Sequence, residues 1–536
     1  MATANININT NANANTRVLL FATHIHSTNG YCLVGHALGR ELAKRKDIEL
    51  TYYGFQNFHK NQAHMSKRTL PANVFVYDAF ENENPKGLGF GFDQVTEFVT
   101  MNKPDVCIIY NDMVVVSTIL DKLKAVPNKN FKIIVYIDQV YLYQKKEHVK
   151  KLNEEADMVL AFTPYWKDCI VEQGLTTPLD FLRHGFDPYQ HYPVPKKLAR
   201  AFFGLKEEDF IILNLNRNQP RKRWDICLQA FAEIVSRHLM EPIKLLIATA
   251  VNGSWNLIEV FERELKKRGI TLEEGMKHLI IIDNPQQITD DEVNILYNVA
   301  DIGFSTADGE GFGLCGFQQA AIGVPQVLPA IGGFLDFFAK DSAILVDPKI
   351  NLYIDNGRDG VGGECQICEW KDFVDGIEAY YADKTMVERH GQTARQHILK
   401  DYAWKDIGDK LYKVCKKVCN HPEVEVQTKT ESIGEDISIE DIEKLLGERG
   451  DTPSPAEASA PVVVASTGPE KLNIPSSMSK KNSVKERLRE KLRKRHENTN
   501  NTNTTTTTKK EESLDIDSLI ELKSKIEKLI DQKKSA

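Results

Sequence analysis

Apolar residues along the first four hundred positions fall into short, nearly unbroken runs separated by longer amphipathic stretches. From Arg17 the runs read R-V-L-L-F-A-T, E-L-T-Y-Y-G, V-F-V-Y-D, D-V-C-I-I-Y, K-I-I-V-Y-I and M-V-L-A-F, with helical spacing over 31–46 between the first two. Such β-branched and aromatic runs suit strands buried on both faces, and the helix-length segments between them suit a parallel sheet covered on both sides. The rhythm restarts after the proline-containing connector H-G-F-D-P-Y-Q-H-Y-P-V-P, residues 184–195. It then runs through F-I-I-L-N at Phe210, I-K-L-L-I-A at Ile243, L-I-I-I at Leu279, I-G-F-S-T at Ile302 and A-I-L-V at Ala343. The pattern predicts an α/β protein of two Rossmann-like, doubly wound parallel-sheet domains, residues 17–190 and 191–420. Open sheets of this kind bind ligands at the carboxyl ends of their strands, so the cleft between the two domains is the expected site.

The two ends read differently. Residues 1–16 alternate Asn and Ala, too polar and too simple to pack, and are expected to form a disordered leader. Residues 421–451 carry ten acids and three bases, while 480–496 carry nine bases and two acids. Blocks of one sign bury too little apolar surface to offset ordering entropy, so 421–536 is expected to be a largely disordered, low-complexity tail. Within it the basic stretch 480–496 is a candidate for an anionic membrane surface or a polyanion, against a plain solvated helix. Leu519, Leu522, Ile526 and Leu529 give the last segment one apolar seam, short for a coiled coil.

Composition narrows the class. With 42% hydrophobic and 27% charged residues, and 68 bases against 75 acids for a net charge of −7, bulk charge excludes a dedicated nucleic-acid binder. No apolar window long enough to span a bilayer is present, and the first fifteen residues hold six Asn instead of a signal-like apolar stretch. The nine cysteines, an odd number scattered over a long chain and partly inside strand-like runs, are the usage of reduced thiols, and the expected location is cytoplasmic, with a peripheral membrane contact through the tail as a variant. Cys365 and Cys368 stand in C-x-x-C spacing, and Cys415 and Cys419 share a helix-like segment. Two half-sites without a recognisable ribbon make weak evidence for a metal.

The densest chemical signal is D-G-E-G-F-G-L-C-G-F-Q-Q-A-A-I-G-V-P-Q-V, residues 308–327. It joins a strand to a helix-like segment through an acid and several glycines. That geometry brings main-chain amides at a helix amino end close to an anion or a sugar, and Glu310 can accept from hydroxyls. The second signal, N-R-N-Q-P-R-K-R-W-D over 216–225, again lies between a strand and a helix. Arg217 and Lys222 on that loop can neutralise a diphosphate as leaving-group charge develops; the plain alternative is a solvated basic loop.

Together these segments resemble the retaining GT-B glycosyltransferases of glycosyltransferase family 4. The resemblance rests on Arg217 with Lys222, Y-N-V-A-D over 297–301, E-G-F-G-L over 310–314, G-V-P over 323–325 and G-G-F-L-D over 332–336, with H-G-F-D at 184–187 and Y-A-W at 402–404 beside them. It implies transfer of a sugar from a nucleotide-diphosphate donor to an acceptor hydroxyl, with retention of configuration and neither cofactor nor metal. By the same resemblance Arg217 and Lys222 hold the diphosphate and Glu310 the donor sugar. The amides of Gly311, Phe312, Gly313 and Leu314 lie near sugar and phosphate, and Gly30 falls where a first-domain glycine loop approaches the phosphates. The only D-x-D run is Asp515 to Asp517, in the tail, so a metal-chelating acid pair has no support.

Three positions depart from the family pattern. Gln318 stands where a ribose-binding acid is usual, Asp138 replaces a histidine after K-I-I-V-Y-I, and Asn29-Gly30 replaces paired glycines. His24, His26 and Asn111, with Asp138, are candidates for the acceptor side because they end first-domain strands. Against the enzyme stands a second reading, a catalytically impaired GT-B scaffold or nucleotide-sugar-binding protein acting through its charged tail. A GT-B epimerase or phosphorylase matches the second-domain motifs less closely. Donor base, donor sugar and acceptor are not legible, although backbone around 285–289 is a place where a base can be met.

Overall fold

The computed structural model describes residues 15–58, 68–84, 87–283, 288–355 and 360–423. The leader up to residue 14, the terminal seam, the basic stretch 480–496 and the D-x-D run lie outside the described residues, as do positions 285–287.

Two parallel sheets carry the architecture. The first has the order β3-β2-β1-β4-β5-β6-β7, with β1 Thr16–Thr23, β2 Ile48–Phe55, β3 Phe75–Asp78, β4 Val106–Asp112, β5 Lys132–Asp138, β6 Met158–Ala161 and β7 Leu179–Phe181. The second has the order β10-β9-β8-β11-β12-β13, with β8 Phe210–Asn214, β9 Ile243–Ala248, β10 Leu279–Ile282, β11 Ile302–Phe304, β12 Gln326–Pro329 and β13 Ile344–Val346. Both are doubly wound as the pattern predicts. Their winding reverses between β1 and β4 and between β8 and β11, and at each reversal a crevice opens above the strand ends.

Local sequence explains the helices that frame these crevices. Asn29 caps the helix Gly30–Ala43 by accepting from the Cys32 amide at 3.0 Å, and Asp112 caps Met113–Lys124 through the amides of Val114 and Val115. Asn29 thus serves as the helix cap while also lining the cleft. Thr289 and Glu292 form a reciprocal capping box at the start of Asp290–Asn298. Apolar strand residues such as Leu20, Ile108 and Ile134 in the first sheet and Ile212 and Leu245 in the second are fully buried.

Several boundaries differ from the expectation. β1 begins at Thr16, inside the expected leader, because Thr16 is wholly buried: its amide donates to Asp47 and its hydroxyl meets His421 and Lys416. A two-stranded antiparallel hairpin, β14 Ile350–Ile354 with β15 Gly363–Ile367, was not anticipated. It docks on the first lobe, where Leu142 and Glu364 exchange backbone hydrogen bonds. The last described helix, Trp404–Cys419, leaves the second lobe and packs along Gly30–Ala43 of the first. There Lys416 and the Tyr412 hydroxyl both reach Asp47 at 2.8 Å, and Arg45 pairs with Asp409.

Candidate active site

Loops from the carboxyl ends of β8 and β11 form the second-lobe wall of a cleft of about 600 Å³, which is closed on the other side by loops following β1, β2 and β5. The β8 loop carries the cations and the β11 loop the acid. Asn216 ties them together, donating to Asn214 Oδ1 at 2.8 Å and to Ser305 Oγ at 3.1 Å. Thr306 Oγ1 donates to the Arg223 carbonyl at 2.9 Å, and the Asp308 amide to the Arg221 carbonyl at 3.0 Å. Polar residues buried at a strand end and bonded to one another fix the relative position of the two loops.

Within this frame Lys222, Arg217 and Glu310 face one cavity. Lys222 is 7% exposed and its ammonium is in direct contact with Glu310 Oε2. Arg221, which the sequence reading passed over, donates to the Gly309 carbonyl at 2.9 Å and lies 3.5 Å from the same carboxylate oxygen. Burial pushes the Glu310 carboxyl up, but Lys222 and Arg221 outweigh it and hold the group below its ordinary value, so it is ionised. Arg217 is exposed to the cleft and makes no ion pair among the described residues, which leaves its guanidinium available to an anion.

The glycines of the acid loop are explained by what presses on them. Gly313 has a φ of +92° and supplies the left-handed turn into the helix Leu314–Ala321. A side chain on Gly332, itself at φ +53°, would run into the Glu310 carbonyl, and one on Gly333 would strike the Phe312 backbone. The G-G-F-L-D motif therefore packs against the acid turn from behind. Its Asp336 accepts both arms of Arg183, at 2.7 and 2.8 Å, and the Tyr402 hydroxyl at 2.9 Å, which joins the interdomain connector to the Y-A-W segment. From the first lobe, Trp166 Nε1 donates to the Gly311 carbonyl at 2.7 Å.

Other candidates separate into those at the cleft and those behind it. Gly30 lines the cleft and faces Leu314 so closely that a Cβ would lie 2.8 Å from its Cδ1. Phe312, Gly313, Leu314, Gln318, His26 and Asp138 also line it. His24 does not: burial against Gly54 turns its ring away and pushes it down to about 4, and its Nδ1 accepts from the His26 amide. Asn111 is likewise buried, its Oδ1 bonded to the Asp112 amide, so neither residue is placed to touch an acceptor.

Gln318 accepts from the Tyr297 hydroxyl at 3.0 Å, so its carbonyl is engaged and its amide nitrogen is the group left for a ligand. Asp138, an acceptor-side candidate, lines the cleft with its carboxyl packed on Gly311 and accepting from the Tyr31 hydroxyl at 2.5 Å. It belongs beside the acid turn. Arg68 also escaped the sequence reading. It binds the Ile25 carbonyl at 2.7 Å and crosses to Asp290 of the second lobe at 2.5 Å. His184, in the connector, is 2% exposed against Phe162 and Phe312, and its ring nitrogens find no partner among the described residues.

No cluster of three or more potential metal ligands occurs among the described residues. Cys365 and Cys368 donate instead to the carbonyls of Leu352 and Val346, each at 3.2 Å. No helix among the described residues is long and apolar enough to cross a membrane.

Two doubly wound sheets facing a cleft, with the cations and the acid on the second, define a GT-B fold. Residues 195–397 match the family model described as glycosyl transferases group 1. A D-inositol 3-phosphate glycosyltransferase of Rhodococcus erythropolis is 22% identical over 242 residues, 45% of this chain and 49% of that protein. A mannosylfructose-phosphate synthase of Agrobacterium fabrum is 24% identical over 214 residues, 38% and 45% of the two chains. The chain thus spans about half the length of the curated relatives it matches. Among solved structures, a sucrose-phosphate synthase of Thermosynechococcus elongatus superposes with a TM-score of 0.57 at 13% identity, covering 75% of this chain and 99% of that one. HepE of Anabaena, solved with UDP-glucose, superposes at 0.56 and 13% identity, with coverages of 75% and 99%. The family match falls on the second lobe, and the solved structures share the GT-B fold of the whole described body.

Proposed function

We propose that the protein transfers a sugar from a nucleotide-diphosphate sugar to an acceptor hydroxyl, with retention of configuration and without a metal. The observation that carries this reading is the convergence of Arg217, Lys222 and Glu310 on one cleft between the two sheets. In this reading the diphosphate takes the unpaired Arg217 and shares Lys222 with Glu310. The cations stabilise the leaving phosphate electrostatically, work that a metal performs elsewhere. Glu310, ionised and held by Lys222 and Arg221, presents its second oxygen to hydroxyls of the donor sugar. Approach of the lobes excludes water, so the activated sugar meets an acceptor and not solvent.

Support for a nucleotide-sugar donor also comes from HepE, whose structure holds UDP-glucose. The test is to incubate the protein with a panel of nucleotide sugars and simple acceptors, with and without EDTA, and to measure released nucleotide. Turnover that survives EDTA and falls by two to three orders of magnitude in Arg217→Ala or Lys222→Ala is the expected result, about the loss seen when one oxyanion-stabilising donor is removed. Binding of a nucleotide sugar without any turnover would favour the scaffold reading instead.

A further inference from the structure

Asp138 ends β5 at the bottom of the cleft, and its surroundings are unusual for a carboxylate. One oxygen lies against the Cα of Gly311, and the other accepts from the Tyr31 hydroxyl. Charged and titratable groups face it from every side. Tyr31 comes from the helix after β1, Tyr110 and Asp112 from β4, Arg221 from the cation loop and Glu310 from the acid loop. Arg221 favours the ionised carboxyl, while Glu310 and Asp112 oppose it.

Charge bookkeeping at the floor of the cleft then matters. Arg217, Arg221 and Lys222 contribute three positive charges, and Glu310, Asp112 and an ionised Asp138 three negative ones. Adding the two negative charges of a diphosphate ester leaves the cluster net negative, and excess negative charge beside a buried carboxylate is relieved by taking a proton. Asp138 is the group placed to take it. Burial has already pushed its carboxyl up to about 6, within reach of neutral pH, whereas Glu310 is held ionised by two cations.

We propose that Asp138 takes up a proton when a nucleotide sugar binds, so that an uncharged carboxyl, bonded to Tyr31, faces the bound donor. The proton comes from the buffer and stays on the Asp138 carboxyl until the nucleotide leaves. This rests on the donor reading above, since the extra negative charge is that of the diphosphate.

Titration calorimetry tests it, using the nucleotide sugar retained from the panel. Its diphosphate has no group titrating near neutrality, so proton exchange reports on the protein. At pH 7, heats measured in buffers of different ionisation enthalpy are expected to show uptake of between half and one proton per ligand. The dissociation constant is expected to rise several-fold, up to tenfold, per pH unit between 7 and 8. Asp138→Asn, an uncharged isostere, is expected to abolish the uptake and to flatten the pH dependence. Tyr31→Phe removes the donor that favours the ionised form and is expected to move the pH at which affinity begins to fall upward. Binding without proton uptake, or uptake that persists in Asp138→Asn, would overturn the proposal while leaving the donor reading intact. Failure of every nucleotide sugar to bind would overturn both.

Discussion

At the residue scale the cleft is a balance of buried charges, and its cost can be read from stability as well as from binding. The Asp138 carboxyl is raised from the ordinary aspartate range near 4 to about 6 by burial, partly opposed by the Tyr31 hydrogen bond and by Arg221. A carboxyl raised on folding destabilises the fold wherever it is ionised. The penalty is therefore full above pH 6, shrinks as the pH falls through 6, and vanishes below about 4, where the unfolded chain is protonated too. A shift of this size corresponds to up to about 3 kcal/mol. Asp138→Asn is accordingly expected to raise the melting temperature at pH 8 and to leave it nearly unchanged at pH 4, a comparison thermal unfolding at the two pH values can make. An equal effect at both would show that the carboxyl is not raised.

The same scale shows where sequence reading reaches its limit. Glu310, Arg217 and Lys222 were legible because each sits in a run of eight to ten residues whose composition already states its chemistry. Arg221 stands in the same run, and nothing local distinguishes it from Arg223 two positions on, which pairs with Asp225 and Asp308 instead. Arg68, His184 and the place of Asp138 depend on partners far away in the chain, such as Asp290, Phe312 and Gly311. Periodicity and spacing carry no information about such pairings.

At the scale of elements, long apolar strands such as β4 and β5 could be read directly, because burial on both faces leaves an unbroken hydrophobic run. β7, three residues long with a central Asp, and β12, with Gln326 at its start and Pro329 at its end, could not. Gln326 is wholly buried, its amide nitrogen donating to the Val324 carbonyl at 2.8 Å while its oxygen finds no partner among the described residues, a burial that polarity alone does not reveal. The most informative element pairing is that of the acid turn with the glycine pair behind it. Gly332→Ala would place a Cβ into the Glu310 carbonyl from a left-handed backbone, and is expected to cost well over 1 kcal/mol. It should also weaken nucleotide-sugar binding, as calorimetry and thermal unfolding would together show. A variant that loses stability but keeps full affinity would mean that the turn does not need this support.

For the whole molecule, the lobes are joined by the helix Trp404–Cys419 as well as by the connector. Lys416 is 2% exposed between Asp47 and Thr16, and Lys416→Ala, which removes a charged hydrogen bond to the half-buried Asp47 while Tyr412 still bonds it, is expected to cost about 1–2 kcal/mol. Among the described residues, those that line the cleft extend no further along the chain than Phe334. Deleting 424–536 is therefore expected to leave nucleotide-sugar turnover within about twofold, whereas ending the chain before Trp404 should abolish cooperative unfolding. Turnover assays and thermal melts on the two truncations check this directly, and a loss of activity in the longer one would give the tail a part in the reaction.

Among the described residues the chain passes between the lobes at 184–195 and again at 402–404, and the two passages lie side by side. The Phe186 amide donates to the Tyr402 carbonyl at 2.7 Å, and Gly185 lies so near the Trp404 indole that any side chain there would collide with it. Two crossings bonded to each other are placed as a unit: the connector and the 402–404 segment fix each other's register where the lobes join. A methyl group added at position 185 would meet the Trp404 indole and part the two segments at that point.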